Sequence, residues 1–304
     1  MAISRAQLVK ELEPGLNALF GLEYKRYENQ HAEIYTTESS DRAFEEEVML
    51  SGFANANVKV EGSGVSYDEA QETYTARYTH DTIALAFSIT EEAIEDNLYD
   101  RLASRYTKAL ARSMSNAKQV KAVTPLIDGL PSTDGYDSGD GVSLFNTSHT
   151  TVSGTAVKNT LSTQADLNET SLEQALIDIA AMTDERGLRV AAKGVKMIIP
   201  SANQFNAERL LKSQGRTGTA DNDINAVVSM GMVPQGYRVN NFLTDSDSWY
   251  IITDVPNGMK MFQRAALKTA MEGDFDTGNV RYKARERYSF GVSDYRGIFG
   301  VEGA

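Results

Sequence analysis

The sequence predicts a mixed α+β fold, and three observations support this class. The 304 residues are 41% hydrophobic and 24% charged, the composition of a packed globular protein. The spacing of hydrophobic residues changes along the chain between a period of about 3.6 and a period of two, which indicates both helices and strands. These helices and strands do not follow the regular alternation of a parallel α/β sheet, so we expect mixed sheets.

Composition excludes several classes of chemistry. The chain has no cysteine, so it has no disulfide framework, thiolate nucleophile, iron–sulfur cluster or cysteine-based zinc site. Its 30 basic and 42 acidic side chains give a net charge of −12, which argues against a nucleic-acid-binding protein but permits one that lies near DNA without gripping it. We expect no cofactor, because no dinucleotide or phosphate-binding glycine motif occurs.

The sequence predicts neither a membrane span nor a secretion signal. No stretch approaches the roughly 18 uninterrupted apolar residues of a membrane helix. Arg5, Lys10 and Glu11 interrupt any signal-peptide core. We therefore expect a protein made in the cytoplasm that does not associate with a membrane.

Residues 1–50 are predicted to form an extended arm that lies over another surface. Ten acidic and only three basic side chains occur between Glu11 and Glu47. Only Arg5–Phe20 has a helical pattern, and the rest has few aliphatic residues at regular spacing. A frayed, solvated terminus is the alternative that composition leaves open.

Residues 51–89 are predicted to form a long β-hairpin. Hydrophobic and polar side chains alternate at 58–61 and again at 74–79, and 62–64 (Gly-Ser-Gly) lies between them. A two-stranded hairpin cannot bury a core of its own. We therefore expect it to lie on another surface, for example on a second subunit.

Thr90 is predicted to cap the strongest helix of the sequence, which continues to about Lys121. Acidic side chains crowd its first half and basic ones its second half, which complements the helix dipole. At 1.5 Å per residue the helix is about 48 Å long, which suits an architectural spine. Its hydrophobic stripe has a four-residue spacing: Ile94, Leu98, Leu102, Tyr106, Leu110 and Met114.

The rest of the chain mixes loops, helices and strands. Residues 125–161 and 215–219 are predicted to be loops. We expect helices that begin at Asn168 or Thr170 and at Ser201, and strands at Val195–Ile199, Tyr237–Leu243, Trp249–Thr253, Met259–Gln263 and Val280–Phe290.

The last strand carries the most unusual charge pattern. Four basic side chains share one face of it: Arg281, Lys283, Arg285 and Arg287. A row of bases can face DNA, acidic surfaces of a neighbouring subunit, or solvent, and the sequence leaves these three alternatives open.

Each enzyme or metal motif is incomplete. Residues 221–225 match the start of a calcium loop, but Ala226 and Met232 replace its glycine and its bidentate glutamate. Residues 276–278 spell an aspartic-protease triplet, but that chemistry needs two such triplets and the chain has one.

The histidines His31, His80 and His149 are far apart, with no acidic or histidine partner at ligand spacing. No Gly-x-Ser-x-Gly nucleophile motif occurs either. We therefore expect a protein that is not an enzyme.

Several segments of the sequence match a known family: 144–149, 171–173, 184–187 and 219–226 and, most specifically, 271–279 and 296–300 near the C-terminus. In these segments the chain resembles the major head subunits of Mu-like phages and prophages, a family with the Hong Kong 97-type fold of tailed-phage capsids. The resemblance covers nearly the whole chain.

This resemblance implies a structural major capsid protein of an icosahedral virion. Its subunits form hexamers and pentamers that enclose double-stranded DNA, assembled in the bacterial host cytoplasm. It further implies five regions: an N-terminal arm (1–50), an E-loop hairpin (51–89), a peripheral domain with the spine helix (90–167), an axial domain (168–262) and returning strands of the peripheral domain (263–304).

The resemblance also implies partners. These are further copies of the chain, a portal, a scaffold protein and decoration proteins, with DNA nearby but not bound by sequence. No N-terminal scaffolding extension is visible, so we expect a separate scaffold or a trimmed chain. Candidate residues for contacts between subunits are Lys59, Glu61, Arg77, Arg281, Lys283, Arg285 and Arg287. Some relatives cross-link lysine to asparagine, but no motif here identifies an asparagine partner for Lys59.

Two alternatives remain at this stage. The first is the shell of a cellular nanocompartment with the same fold, which would enclose enzyme cargo rather than DNA. The second is a hydrolase or calcium-binding module, which metal-dependent or Asp276-dependent turnover would reveal.

Overall fold

The computed structural model describes residues 5–95, 99–133, 135–215, 223–274 and 278–304. Its α-helices are α1 (Arg5–Arg26), α2 (Glu91–Glu95), α3 (Tyr99–Asp128), α4 (Glu169–Ala181), α5 (Gln204–Lys212) and α6 (Ala226–Ser229). Short 3₁₀ turns occur at Gln30–Glu33, Ser201–Asn203 and Tyr295–Gly297. The strands are β1 (Thr36–Ser39), β2 (Phe44–Leu50), β3 (Glu72–Thr79), β4 (Asp81–Ile89), β5 (His149–Thr150), β6 (Ala156–Val157), β7 (Gly194–Ile199), β8 (Tyr237–Val239), β9 (Trp249–Thr253), β10 (Met259–Gly273), β11 (Val280–Val292) and β12 (Ile298–Val301).

One four-stranded sheet has the order β1-β10-β11-β4, and α1 and α3 cover one of its faces. Strands β10, β11 and β4 are antiparallel neighbours, whereas β1 runs parallel to β10. The apolar side chains between this face and the helices form a separate core cluster: Leu16, Phe20, Ile89, Ala103, Leu110, Ala111, Met114, Tyr282 and Ala284. On the opposite face, Ala76 and Tyr78 of β3 pack against Phe262 of β10 at one end of the sheet.

A second four-stranded sheet has the order β12-β9-β7-β8 and belongs to the largest core cluster of the described residues. Helix α4 packs closely on this sheet at Gly194 of β7. A Cβ atom at Gly194 would lie 2.9 Å from both Leu176 of α4 and Ile251 of β9. The glycine thus permits a close approach of helix and sheet that a larger residue would prevent.

The prediction of an extended arm over residues 1–50 is wrong, because the short predicted helix is part of the 22-residue α1, and residues 36–39 and 44–50 form strands. Leu16 and Phe20 lie one turn apart and are buried against α3 and β11, and Tyr24 continues the same stripe. The four-residue spacing of these side chains extends the short predicted helix to Arg26. After α1, Ile34 and Tyr35 enter the main core, and β1 pairs with β10.

The predicted hairpin exists with different strands. β3 pairs with β2, from Phe44↔Thr79 to Leu50↔Glu72, and not with residues 58–61. Residues 51–71 form no strand and connect the two. The next strand, β4, leaves the hairpin and joins β11. Along residues 44–50, exposed and half-buried side chains alternate. On the partner strand β3, Ala76 and Tyr78 are buried against the first sheet.

The predicted spine helix corresponds to α2 and α3, and α3 ends later than predicted, since it continues through Pro125 to Asp128. Leu110 and Met114 are buried as predicted, whereas Tyr106 is 48% exposed. The described side chains do not include Ile94, Leu98 and Leu102. Ala122, Val123 and Leu126 are buried in the main core, and this packing extends the helix past the predicted end.

The remaining elements agree largely with prediction. Asn168 caps α4, with its Oδ1 accepting a hydrogen bond from the Ser171 amide at 2.9 Å. β9 has the predicted bounds, β8 is shorter than predicted, and β10 and β11 are longer. Most of the predicted loop 215–219 lies outside the described residues. β12, expected beside the returning strands, instead pairs with β9 in the second sheet.

Candidate assembly surfaces

A long loop projects from the end of the β2–β3 hairpin. Every residue from Gly52 to Glu72 is exposed, including hydrophobic ones. Val58 and Tyr67 each expose 94% of their surface, and Val60 exposes 69%. Apolar side chains gathered at this exposure on one loop indicate a surface that another molecule covers.

Hydrogen bonds fix the base of this loop. The Ser51 amide donates to the Gln71 carbonyl at 2.9 Å, and the Ala54 amide donates to the Asp68 carboxylate at 2.7 Å. Backbone hydrogen bonds from Ala54 and Glu69 lower the pKa of Asp68. Arg186, from the turn after α4, donates to the Glu69 carbonyl and lies 4.0 Å from Asp68. The loop is therefore held at its base and free at its tip.

The hairpin is anchored to the first sheet by buried side chains. The Tyr78 ring meets the Phe262 ring edge-on at 4.7 Å, and the Tyr78 hydroxyl bonds the Ser293 hydroxyl. Lys260 of β10 is buried between Glu38 at 3.1 Å and Glu47 of the hairpin at 2.5 Å. Burial lowers the pKa of Lys260, but hydrogen bonds to Glu47 and Glu38 outweigh it, so the net shift is upward.

The three predicted contact residues of this region differ in their surroundings. Lys59 and Glu61 lie in the exposed loop, and neither forms an ion pair with another described residue. Arg77 has its contacts within its own hairpin. It is paired with Glu46 across the two strands, with its guanidinium 3.7 Å from that carboxylate. The same guanidinium lies 4.1 Å from the Phe44 ring centre. The structure therefore brings Arg77 together with β2 and leaves Lys59 and Glu61 unpartnered within the described chain.

The four predicted basic residues of β11 lie on the face of the first sheet opposite the helices, beyond the part of that face that Tyr78 of the hairpin covers at Gly291. Arg281 forms an ion pair with Asp274, whereas Lys283, Arg285 and Arg287 have no ion pair with a described residue. Lys268 of β10 lies opposite Arg285 and adds a further cation. On the other side of β11, only small side chains share this face: Thr82, Ala84, Ala86 and Ser88. We call this surface, formed by Lys268, Lys283, Arg285 and Arg287, the basic face.

The other face of β11 is tied to the helices by a buried carboxylate. Glu286 is 1% exposed, and its Oε2 accepts a hydrogen bond from Lys118 Nζ of α3 at 3.2 Å. The Tyr24 hydroxyl of α1 lies 3.5 Å from Oε1. Burial raises the pKa of Glu286 despite the opposing effect of Lys118. The glutamate that interrupts the apolar alternation of β11 thus joins three elements.

The three histidines lie at separate places and have structural partners. His31 Nδ1 is 3.0 Å from Gln119 Nε2, and burial followed by the nearby charge of Lys118 lowers the pKa of His31 to about 4. His80 lies between two serine hydroxyls, each at 2.9 Å. Neither arrangement contains a nucleophile–base–acid series.

His149 has an acidic partner that sequence spacing did not reveal. Its Nδ1 lies 2.6 Å from Asp140 and its Nε2 lies 3.1 Å from the Asn159 amide oxygen, while Tyr295 stacks on the ring at 3.9 Å. The group is buried, and Asn159 also donates to two backbone carbonyls. This network holds the 137–160 loops against the final turn of the chain.

Among the described residues, no three histidines, cysteines or carboxylates come together as metal ligands. The calcium-like segment 221–225 lies partly outside the described residues, as does the triplet 276–278. None of the helices described is sufficiently long and apolar to cross a membrane.

The fold is that of Hong Kong 97-type capsids. The chain is similar to a virus-like particle from Pyrococcus furiosus, with 10% identity, a TM-score of 0.55, and coverage of 95% of this chain and 98% of that one. It is also similar to the capsid of an empty GTA particle, with 12% identity, a TM-score of 0.54 and 91% coverage of both chains. The capsid of Myoviridae phage XM1 gives 12% identity, a TM-score of 0.54 and 89% coverage of both.

The phage capsid protein family matches residues 73–301, well over half of the sequence, so the chain belongs to that family. No curated protein sequence matches the chain significantly. The protein is thus a structural capsid protein of a bacteriophage type, and its place is the virion capsid. The narrower assignment to Mu-like head subunits stays a prediction.

Proposed function

We propose that the chain is a major capsid protein that assembles into hexamers and pentamers of an icosahedral head around double-stranded DNA. The observation that carries this proposal is the projecting loop 52–72, whose exposed apolar side chains pack against no other part of the described chain. Such a loop contacts a different surface on the next subunit, and contacts between unlike surfaces close into rings and shells.

We assign roles to the predicted regions on the same basis. The first sheet with α3 is the peripheral domain, the second sheet with α4 and α5 is the axial domain, and the β2–β3 hairpin with its loop is the E-loop. Lys59 and Glu61 on the loop and the cations of the basic face supply contacts between subunits. Arg77 supports these contacts by stiffening the hairpin.

Partners and site of assembly follow from this proposal. A head assembles with a portal, a scaffold protein and in some cases decoration proteins, and it assembles in the bacterial host cytoplasm. The net charge of −12 suits a container wall that repels the packaged DNA rather than binding its sequence. The chain needs no cofactor and no catalytic activity for this work.

The proposal is tested by assembly of the full chain. We expect rings, tubes or shells in negative-stain electron microscopy and a large particle mass in light scattering, with the chain alone or with its scaffold protein. A monodisperse monomer at high concentration, at low and at high salt, and in the presence of scaffold would contradict the proposal.

A nanocompartment shell is the second candidate, favoured by the structural similarity to the Pyrococcus furiosus particle. The two candidate shells differ in what they enclose. Particles purified from infected or induced cells should contain nuclease-protected DNA if the shell is a phage head, and a co-purifying enzyme if it is a nanocompartment.

A further inference from the structure

Two arginines occupy neighbouring positions of the first sheet, close to the point where the chain passes from β3 to β4. Arg287 of β11 pairs with Ala265 of β10, and Arg264 comes directly before Ala265, where the register of β10 shifts. His80, the residue between β3 and β4, is buried, and the charges of both arginines act on its ring. The two guanidinium groups therefore lie near the same point of the surface.

Neither guanidinium has an acidic partner among the residues that the structure describes. The Nε atoms of Arg264 and Arg287 are buried, and neither finds a hydrogen-bond acceptor there. A buried N–H group of a charged side chain is costly without an acceptor, and such groups are rare in native proteins. The two arginines thus have unused donors and uncompensated charge.

The acidic side chains around His80 already have other partners. Glu45 of β2 accepts a hydrogen bond from the Ser40 hydroxyl at 2.7 Å. Asp81 of β4 forms an ion pair with Lys121 of α3. These carboxylates therefore do not supply the counter-charge that the arginines lack.

The electrostatics of His80 show the same excess of positive charge. Burial is the largest cause that lowers the pKa of His80, and the charge of Arg287 comes next. Arg264 also lowers this pKa, whereas Glu45 and Asp81 raise it. The two arginines together outweigh the two carboxylates at this ring, so an anion bound here would be stabilised.

The basic face extends this positive region along β11. Arg285 lies two residues before Arg287 on the same face, about 7 Å away along the strand, and Lys268 pairs with Arg285. On the β4 side, Thr82 pairs with Arg287 and Ala84 with Arg285. These small neighbours leave room beside the guanidinium groups for a ligand.

The number of donors favours a phosphate group over a carboxylate. A carboxylate has one charge, and one arginine satisfies its two oxygens as a bidentate pair. A phosphate group carries about two negative charges near neutral pH and offers three strong acceptor oxygens. Several guanidinium groups near one point therefore match a phosphate better, and arginine is well suited to this recognition.

We propose that Arg264 and Arg287, with Arg285 beside them, bind a phosphate oxyanion on the first sheet next to the hairpin. Their N–H groups donate hydrogen bonds to the phosphate oxygens, and Lys268 adds positive charge. Free inorganic phosphate and the backbone phosphates of a nucleic acid share this chemistry. The site lies within one chain and does not depend on assembly, so it can fail or succeed independently of the proposed function.

Calorimetric titration of the full, unassembled chain with inorganic phosphate at constant ionic strength tests the site. We expect Arg264→Gln and Arg287→Gln each to lower the affinity at least about tenfold. Arg281→Gln is the matched control, because Arg281 lies about 20 Å away on the same strand and is paired with Asp274. This variant should change the affinity less than about twofold.

Thermal melting shows whether each variant is folded. Absence of binding by the wild type up to about 10 mM phosphate would overturn the proposal. Equal losses of affinity in Arg287→Gln and Arg281→Gln, with both variants folded, would also overturn it.

The titration of His80 gives a second readout that needs no variant of the arginines. A bound phosphate offsets their charge, so the pKa of His80 should rise when phosphate is added. Nuclear magnetic resonance of ¹³C-labelled histidine follows this change, and His31 and His149, which lie elsewhere, are internal controls. An unchanged pKa of His80 in excess phosphate, or an equal shift at all three rings, would contradict a site at Arg264 and Arg287.

Three probes separate the sources of the anion. Acetate that binds as tightly as phosphate would overturn the proposal, since a carboxylate would then suffice. A short oligothymidylate that binds at least about tenfold more tightly than inorganic phosphate, and that Lys268→Gln weakens, would identify a nucleic-acid backbone as the source. An oligothymidylate that binds no more tightly than inorganic phosphate would identify the free ion.

Discussion

Lys118 and Glu286 form a buried ion pair that joins the long helix α3 to the centre of the first sheet. Removing one partner of a buried pair leaves the other charge without compensation, which typically costs about 3–5 kcal/mol. We therefore expect Lys118→Met to lower the free energy of unfolding by about that amount in urea denaturation. Lys108→Met, an exposed position on the same helix, should change it by less than about 0.5 kcal/mol.

A double variant provides the check on this explanation. Lys118→Met with Glu286→Leu replaces both charges by apolar groups and should recover most of the lost stability. If Lys118→Met is as stable as Lys108→Met, the ion pair contributes nothing to the free energy of unfolding. If the double variant is as unstable as the single one, packing rather than charge explains the loss.

His31 makes the stability of the fold depend on pH. Its pKa is about 4 in the folded protein, below the ordinary value of 6.5, because burial and Lys118 disfavour the charged ring. The unfolded chain therefore binds a proton between these two values that the folded chain does not. Stability contributed by the neutral ring is fully present above pH 6.5 and is lost as the pH falls towards 4.

We expect His31→Gln to flatten this part of the stability curve, by at most about 1.4 kcal/mol per pH unit for one proton. Urea denaturation at several pH values between 7 and 4 (the titration range of the ring) measures the slope for both proteins. Parallel curves for the wild type and the variant would show that His31 does not titrate in this window.

At the scale of elements, the loop 52–72 is separable from the fold. All its residues are exposed, and loop-closure entropy changes slowly with length, so its removal costs the subunit little. We expect replacement of residues 53–70 by a short Gly/Ser linker to leave circular dichroism and the melting temperature nearly unchanged. The same change should abolish stable shells in negative-stain microscopy, because each shell repeats the lost contact many times.

The replacement must end before β3, because this strand packs against the first sheet. Ala76 and Tyr78 are buried, so a deletion that extends into β3 should unfold the hairpin and serves as the destabilised comparison. Intact shells from the 53–70 variant would show that the loop is not an assembly element.

The elements most difficult to predict were those whose partners lie far away in sequence. The alternation at 74–79 correctly indicates a strand, whereas residues 58–61 form none; β3 pairs instead with β2, whose residues were assigned to the arm. In α1, Leu16, Phe20 and Tyr24 have the four-residue spacing of a helix. The many acidic side chains around them make this pattern difficult to recognise in the sequence. The capped helix α4 and the strand β9, which have strong local signals, were predicted closely.

At the scale of the whole molecule, charge is distributed unevenly: the chain is acidic, yet the cations of the basic face form no ion pair with any residue that the structure describes. If this face meets acidic surfaces of neighbouring subunits, reversing Lys283 and Arg285 to Glu should leave the monomer folded and reduce assembly strongly at low salt. Single exposed ion pairs contribute only about 0–1 kcal/mol, so two changes are made together. Light scattering during assembly measures the effect.

Two controls define this experiment. Lys108→Glu with Lys193→Glu makes the same change of net charge at exposed positions elsewhere. Lys283→Gln with Arg285→Gln removes the charges without reversing them and should have an intermediate effect. Normal assembly of the Glu double variant would mean that the basic face is merely solvated.

The sequence by itself determined the class of the fold, the spine helix, the charge pattern of β11 and the family resemblance, because these depend on local periodicity, capping and residue order. Only the tertiary structure decided which strands pair, that His149 lies against Asp140, that Glu286 meets Lys118, and that β4 is left as an open edge. Lys118 and Glu286 are 168 positions apart, and the paired strands β1 and β10 are 224 positions apart. Pairing at such separations depends on how whole faces pack together, and a window of neighbouring residues carries no record of it.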